Sequence, residues 1–130
     1  MSVSIWCVIL FLFVTYGVRW WAVRGAIAQE GRYDNSLPRQ QQARLTGLAA
    51  RAQAAHLNSL EAFAPFAAAV LVAQGYSQLD GLRDGLAVAV LLLRGLYCWG
   101  YLGDWGHGRS LVWALGFLAT LALFLLPAFG

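Results

Sequence analysis

The chain has 130 residues, of which 60% are hydrophobic and 12% are charged, about half the charged fraction of an average soluble domain. This length and composition exclude an ordinary soluble domain and leave no room for a second one. The net charge of +3 comes from nine arginines, most of them in loops and at helix ends, so it indicates membrane topology and no nucleic-acid partner. We predict an all-α fold, a polytopic membrane protein with one four-helix bundle over residues 1–130.

Four apolar segments predict the helices in chain order. The first covers about residues 2–23, and we expect it to be retained because its start lacks positive charge and no A-x-A cleavage site follows. After a polar stretch rich in turn formers, the second helix covers about 41–75, long enough for its first turns to project from the bilayer. Short polar links lead to a third helix, about 81–102, and a fourth, about 109–126.

The distribution of arginine predicts the orientation in the membrane. The loop after the first helix contains Arg24, Arg32, Arg39 and Arg44. The link before the fourth helix ends at Arg109, whereas the opposite side has Arg83 beside two aspartates. Because arginine-rich short loops stay inside, we predict that these loops are cytoplasmic and that both termini lie outside the cytoplasm.

The second helix carries polar side chains at a depth where they are costly unless they face the bundle interior or a ligand. Asn58 and Glu61, at positions i and i+3, share one face, and Arg51 lies two turns earlier on the same stripe. Pro65 removes the hydrogen bond to the carbonyl of Glu61, so we expect a kink there. These residues predict one polar face on the second helix.

The third helix has a matching polar stripe, formed by Arg94, Tyr97, Cys98 and Tyr101. Arg109 and Ser110 open the fourth helix on the same predicted side of the membrane. Together, the cationic side chains, the carboxylate, the amide and the phenols suit a small zwitterion with more than one carboxylate.

A purely structural role is the alternative explanation for each of these residues taken singly. Glu61 would neutralise Arg94 or Arg51 inside the bundle, the two tyrosines of the third-helix stripe would be packing aromatics, and Arg24 and Arg109 would be positive-inside anchors. His56 lies on a different face from Asn58 and is predicted to be a structural hydrogen-bonding residue. The two cysteines are predicted to be buried apolar residues, and we predict no metal site, since no ligand spacing, phosphate loop or catalytic triad is present.

Three sequence elements resemble the MAPEG family, the membrane-associated proteins in eicosanoid and glutathione metabolism. The second-helix run H-x-N-x-x-E-x-F-x-x-F is similar to the family signature and comprises His56, Asn58, Glu61, Phe63 and Phe66. The third-helix run R-x-x-Y-x-x-x-Y is similar to the second family motif and comprises Arg94, Tyr97 and Tyr101. The Arg109–Ser110 pair resembles a third element, so the resemblance covers essentially the whole chain.

The resemblance implies a homotrimer of four-helix subunits in the lipid bilayer, with glutathione as co-substrate bound between neighbouring subunits near the cytoplasmic face. It implies a glutathione-dependent transferase or peroxidase whose small lipophilic substrate arrives through the bilayer. The chain looks like a divergent bacterial-type member, which implies the inner membrane.

The resemblance also assigns roles position by position. Asn58 and Glu61 would hold the peptide, with Glu61 taking the γ-glutamyl amine, while Arg94 and Tyr97 would contact glutathione carboxylates or backbone. Arg24 resembles an arginine that reaches in from the loop after the first helix. The catalytic candidates, which would stabilise the thiolate, are Arg109, Tyr101 and Ser110; such stabilisation activates a thiol as a nucleophile.

Two departures from the family pattern keep other functions open. The family usually has arginine four residues before the asparagine, where this chain has Ala54, and Arg51 one turn earlier is the candidate replacement. Leu57 stands where some members have arginine. The alternatives are a non-catalytic membrane binding or scaffold protein with the same fold, or an enzyme that uses a different thiol.

Overall fold

The computed structural model describes all 130 residues and is entirely helical outside its loops. Its helices are α1 (Val3–Glu30), α2 (Pro38–Ala43), α3 (Gly47–Tyr76), α4 (Asp80–Leu102) and α5 (His107–Leu125), followed by a short 3-10 turn, Leu126–Ala128. All but α2 are long and apolar enough to cross a membrane. The predicted all-α fold with four membrane-spanning helices is confirmed.

The first helix is longer than its sequence predicted. We expected an end near residue 23, but α1 continues to Glu30 because no proline and no left-handed residue interrupts it before Gly31. Gly31 ends it in the left-handed conformation, φ 81°, and donates its N–H to the carbonyl of Ile27 at 2.8 Å. Glycine adopts this conformation without the steric cost that a side chain would impose.

The second predicted helix begins as two pieces. Pro38 occupies the first turn of the short α2, a position where its missing N–H costs no hydrogen bond. The chain then leaves helical geometry, and α3 begins at Gly47, whose φ is 60°. The predicted start at residue 41 therefore falls inside α2, whereas α3 continues unbroken through Pro65 to Tyr76.

One buried amide side chain, that of Gln41, holds the loop between α1 and α2. Gln41 is only 1% exposed; its Oε1 accepts from the backbone N–H of Asp34 at 2.9 Å, and its Nε2 donates to the carbonyl of Arg32 at 2.8 Å. These bonds satisfy backbone groups that no helix satisfies. The loop is thereby fixed against the base of α2.

The four long helices run alternately up and down, with both termini at the α3–α4 end. The N–H of Gln78 donates to the carbonyl of Gly130 at 2.8 Å, and the N–H of Ser4 donates to Oδ1 of Asp84 at 3.2 Å. Arg83, buried at the same end, donates to Ser4, Asp80 and Asp84. Its charge is therefore compensated by protein groups.

Small residues allow α1 and α3 to pack closely. A Cβ atom added at Gly25 would overlap the Cβ of Ala49 and lie 3.3 Å from its Cα. Ala22, Ala26 and Ala52 are buried in the same cluster. Close packing of this kind gains dispersion energy between helices that share an apolar solvent.

Candidate functional site

A cavity of about 200 Å³ lies between α3, α4 and α5, with Phe11 of α1 at its wall. Its polar lining includes four side chains from the two polar stripes: Asn58, Glu61, Arg94 and Tyr97. The remaining lining is mostly apolar and comes largely from α5. The structure therefore brings part of the predicted site together around one space.

Arg94 is the central cation of the cavity and is only partly satisfied. Its side chain is 7% exposed, and Nη1 donates to Oδ1 of Asn58 at 3.0 Å and to Oγ of Ser59 at 3.5 Å. Its guanidinium carbon lies 4.6 Å from the ring centroid of Tyr97 and 5.4 Å from that of Phe11. Nε is buried and has no hydrogen-bond partner, although buried polar atoms are normally paired.

Glu61 makes no ion pair and no side-chain hydrogen bond within the chain. It is an exposed residue at the cavity wall, on a membrane-spanning helix. The structural explanation, in which Glu61 neutralises Arg94 or Arg51 inside the bundle, is therefore wrong for this subunit. Ionisable side chains in membrane-spanning segments usually pair with one another or with backbone groups, or line a substrate pathway, and Glu61 has no such partner within the subunit.

The catalytic candidates lie beside the cavity and not at its wall. The guanidinium carbon of Arg109 is 3.9 Å from the ring centroid of Tyr101. Tyr101 meets Tyr97 edge to face, with ring centroids 5.3 Å apart. Ser110 is exposed and makes no side-chain hydrogen bond. A continuous series of side-chain contacts, from Arg109 to Tyr101 and from Tyr101 to Tyr97, thus connects Arg109 to the cavity.

The two other predicted arginines have contacts away from the cavity. Nε of Arg51 donates to the carbonyl of Tyr101 at 3.1 Å and Nη2 donates to that of Leu102 at 3.5 Å, so Arg51 caps the end of α4. Arg24 is exposed, and its guanidinium lies 5.7 Å from the ring centroid of Trp20. Within one subunit, neither side chain lines the cavity.

His56 has the structural role predicted for it. It is 2% exposed, and its Nδ1–H donates to the carbonyl of Thr15 at 2.7 Å. Thr15 itself donates its hydroxyl to Phe11 within α1. The histidine therefore connects α3 to α1, and its position in the motif reflects helix packing.

The apolar side of the cavity was not identified as a site from the sequence. Trp113 and Phe117 of α5 lie parallel, with an interplanar angle of 3° and ring centroids 5.5 Å apart. Gly116 and Thr120 line the cavity on the same helical face. The i, i+3, i+4, i+7 spacing of these four residues is the signal that would have identified this face.

The model of the MAPEG family matches residues 3–129. No curated protein and no solved structure shows a significant match. The family includes glutathione transferases and peroxidases, and its members generally use glutathione. With four membrane-spanning helices and a family match over nearly its entire length, the chain is an integral membrane protein that belongs to the MAPEG family.

Proposed function

We propose that this protein is a membrane-embedded, glutathione-dependent transferase or peroxidase that acts on lipophilic electrophiles. The observation that carries the proposal is a pair of unsatisfied groups at one cavity: the buried Nε of Arg94 and the unpaired carboxylate of Glu61. A ligand with both a carboxylate and an ammonium group satisfies them together. Glutathione has both, and it is the thiol that MAPEG proteins generally use.

The proposed binding mode assigns one role to each polar side chain of the cavity. Glu61 takes the γ-glutamyl amine, and Arg94 takes a carboxylate through its free Nε while Asn58 holds Nη1. Tyr97 supports the guanidinium through its ring face. Such charge-assisted contacts are the strong hydrogen bonds of binding sites.

The size of the cavity supports a site that a neighbouring subunit completes, as in the proposed homotrimer. Pockets for drug-sized ligands usually measure about 300–1,000 Å³, and this cavity measures about 200 Å³. A tripeptide therefore needs additional surface, which a neighbouring subunit placed against the exposed Glu61 provides. Arg24 and Arg51 remain proposed glutathione contacts in that assembly.

Thiolate stabilisation is proposed for Arg109, with Tyr101 and Ser110 beside it. A guanidinium near the sulfur favours the thiolate over the thiol, and a low-dielectric site strengthens that preference. To reach a sulfur atom, Arg109 has to leave the ring of Tyr101 or serve the cavity of a neighbouring subunit. The lipophilic substrate enters from the bilayer of a bacterial inner membrane.

Glutathione binding to the purified protein in detergent, measured by calorimetry, tests the proposal. Glu61→Gln removes the charge that pairs with the amine, and such a loss in a buried site costs about 2–5 kcal/mol. At about 1.4 kcal/mol per tenfold, the affinity should therefore fall by about 25-fold or more. Glu30→Gln is the matched control because Glu30 pairs with Arg44 away from the cavity. Unchanged affinity in Glu61→Gln, with wild-type assembly, contradicts the assignment.

A second candidate, a membrane binding protein without catalysis, is favoured by one observation: Arg109 and Ser110 do not line the cavity. The same assay separates the two functions when the ultraviolet absorbance of the thiolate is followed. An enzyme binds glutathione and forms thiolate, and Arg109→Ala abolishes only the second signal. A binding protein shows no thiolate absorbance in the wild type or in Arg109→Ala. Competition with other thiols identifies an enzyme that uses a thiol other than glutathione.

A further inference from the structure

We propose that the groove between α1 and α4 binds one acyl chain of an anionic phospholipid from the arginine-rich side of the bilayer. The groove has a volume of about 680 Å³ and lies on the outside of the bundle. Its apolar side chains come from Leu10, Phe13 and Val14 of α1 and from Leu91, Leu92 and Leu96 of α4. The inference goes beyond the proposed function, because it concerns a different surface and a ligand that does not react.

A missing side chain keeps the groove open. Gly95 lines it on α4, and a Cβ atom there would meet no other atom within 4 Å. The large side chains on either side project outward, since Phe13 is 71% exposed and Leu92 is 67% exposed. Both helices are long and apolar enough to cross the membrane, so the space beside Gly95 faces the hydrocarbon of the bilayer.

The groove has the length of the hydrocarbon in one leaflet. α1 and α4 run in the same direction, and the bond from the N–H of Ser4 to Oδ1 of Asp84 fixes their register. Leu91 is the middle residue of α4 and therefore lies near the bilayer midplane. From Leu10 to Trp21, α1 rises about 16 Å at about 1.5 Å per residue, and half of a hydrocarbon core of about 30 Å is about 15 Å. An acyl chain that begins at the level of Trp21 therefore ends near Leu10.

Indole rings mark the headgroup end of the groove. Trp99 lines the groove on α4 and is 68% exposed. Trp21 is exposed two turns after Val14 on the same face of α1, beside the exposed Trp20. Tryptophan at the membrane interface places its ring among acyl chains and its N–H among polar groups. The ester and phosphate oxygens of a phospholipid are acceptors for these N–H groups.

The charge at this end of the bundle complements a phosphate. Its arginines are Arg24, Arg32, Arg39, Arg44, Arg51 and Arg109, and its carboxylates are Glu30, Asp34 and Asp104. Among these groups the one ion pair joins Arg44 to Glu30. Arginine near a membrane surface attracts anionic lipids, so an anionic headgroup such as that of phosphatidylglycerol is favoured over a zwitterionic one.

The proposed homotrimer leaves this groove open to lipid. α1 packs against α3 and α4, and α5 packs against the same two helices, so the α1–α4 side and the α3–α5 side lie opposite each other in the bundle. The neighbouring subunit is proposed to lie against Glu61, on the α3–α5 side. Subunits joined through opposite faces build an open filament and not a closed ring. A lipid is therefore the occupant that fits the α1–α4 side.

Titration of the purified full-length protein in detergent with phosphatidylglycerol, followed by native mass spectrometry, tests the proposal. We expect saturable binding of phosphatidylglycerol and weaker binding of phosphatidylcholine that has the same acyl chains. Gly95→Leu places a side chain in the space of the acyl chain, whose methylene groups then lose burial. The affinity for phosphatidylglycerol should therefore fall by about tenfold or more.

Gly85→Leu is the matched control. Gly85 also lies in the interior of α4, where a Cβ atom would meet no other atom within 4 Å, but it does not line the groove. The two substitutions change helix propensity equally, and Gly85→Leu should bind phosphatidylglycerol like the wild type. Equal affinities of Gly95→Leu and Gly85→Leu overturn the proposal, and so does equal binding of the two phospholipids by the wild type.

Trp99→Phe is a second variant, which decides the question if Gly95→Leu does not fold. It keeps an apolar ring and loses one N–H donor, so phosphatidylglycerol should bind about threefold more weakly or worse. A Gly95→Leu protein that folds but loses the wild-type oligomeric state overturns the lipid and assigns the groove to a second copy of the chain. Because the titration contains no glutathione, its result does not depend on the proposed function.

Discussion

At the scale of single residues, Arg94 shows how a membrane bundle holds a charge without neutralising it. Two ring faces, an amide oxygen and a serine hydroxyl surround the guanidinium, yet no carboxylate pairs with it. Burying an ion without its counter-ion costs several kcal/mol or more. The arrangement therefore favours the binding of an anion beside the guanidinium. The same residue organises the bundle and, in the proposed function, binds a carboxylate of the ligand.

Asp34, in the loop after α1, is a second residue whose charge has a defined structural effect. The N–H groups of Leu37 and Ser36 donate to Oδ1 of Asp34 at 3.1 and 3.0 Å. These bonds favour the charged form and lower the pKa of Asp34 from its ordinary value. The turn that leads into Pro38 therefore depends on an ionised carboxylate.

The turn is predicted to loosen in acid. Because the folded-state pKa of Asp34 is lowered, its stabilisation is complete above the unfolded value, about 3.9, and is lost as the pH falls through the lower folded value. Amide hydrogen exchange at Leu37, measured as a function of pH, should show this loss after correction for intrinsic exchange. Asp34→Asn keeps an acceptor oxygen and should remove the pH dependence; an unchanged profile in that variant would exclude Asp34 as the cause.

At the scale of elements, the contact between α1 and α3 depends on missing side chains. Gly25 faces Ala49 so closely that no Cβ fits, while Gly17 of the same helix has no neighbouring atom within 4 Å. Both glycines lie in the interior of α1, where their intrinsic helix propensities are equal. The pair therefore separates packing from propensity.

Gly25→Ala should destabilise the protein by about 1–3 kcal/mol, the usual cost of overpacking, because α1 and α3 must move apart. Gly17→Ala should be neutral or should stabilise by up to about 1 kcal/mol, since alanine favours helix. Thermal unfolding in detergent measures both. A Gly25→Ala protein as stable as Gly17→Ala would show that the two helices do not approach this closely.

At the scale of the whole molecule, the two ends of the bundle differ in how their charges are satisfied. At the α3–α4 end, Arg83 has two carboxylates and Ser4 as partners, and both termini lie nearby. Most arginines lie toward the opposite end, and among them only Arg44 pairs with a carboxylate. The positive-inside rule predicts that this arginine-rich end lies in the cytoplasm.

A topology experiment tests this orientation. A reporter that is active only outside the cytoplasm should show activity when it is fused after Gly130. A reporter that is active only in the cytoplasm should show activity when it is inserted at Asn35, in the loop after α1. Both results follow from the arginine bias between the two ends. Cytoplasmic activity of the C-terminal fusion would invert the proposed arrangement, and identical activity at both sites would contradict the helix count.

Much of the fold follows from the sequence, because a helix that crosses the bilayer needs a minimum length and an apolar composition, and both can be recognised in the sequence. The four spanning helices were predicted correctly, but not the extension of α1 to Glu30 or the separate α2. Those boundaries depend on Gly31, Pro38 and Gly47, whose effects are local and compete with an otherwise helical pattern.

The candidate site was predictable only in part, for a geometric reason. Helical periodicity correctly placed Asn58, Glu61, Arg94 and Tyr97 together because they lie on facing stripes. Periodicity does not reveal which way a long side chain turns: Arg51 reaches the end of α4 and Arg109 the ring of Tyr101. The catalytic roles of Arg109, Tyr101 and Ser110 stay predictions.

The cap that Arg51 forms on α4 has a consequence for how the sequence is able to change. One side chain of α3 satisfies the carbonyls of Tyr101 and Leu102, immediately before the turn in which Asp104 adopts φ 60°. Replacing Arg51 would leave these carbonyls without that partner and release the turn that sets the start of α5. Position 51 and the α4–α5 link are therefore expected to evolve as one unit, although 50 residues separate Arg51 from Tyr101.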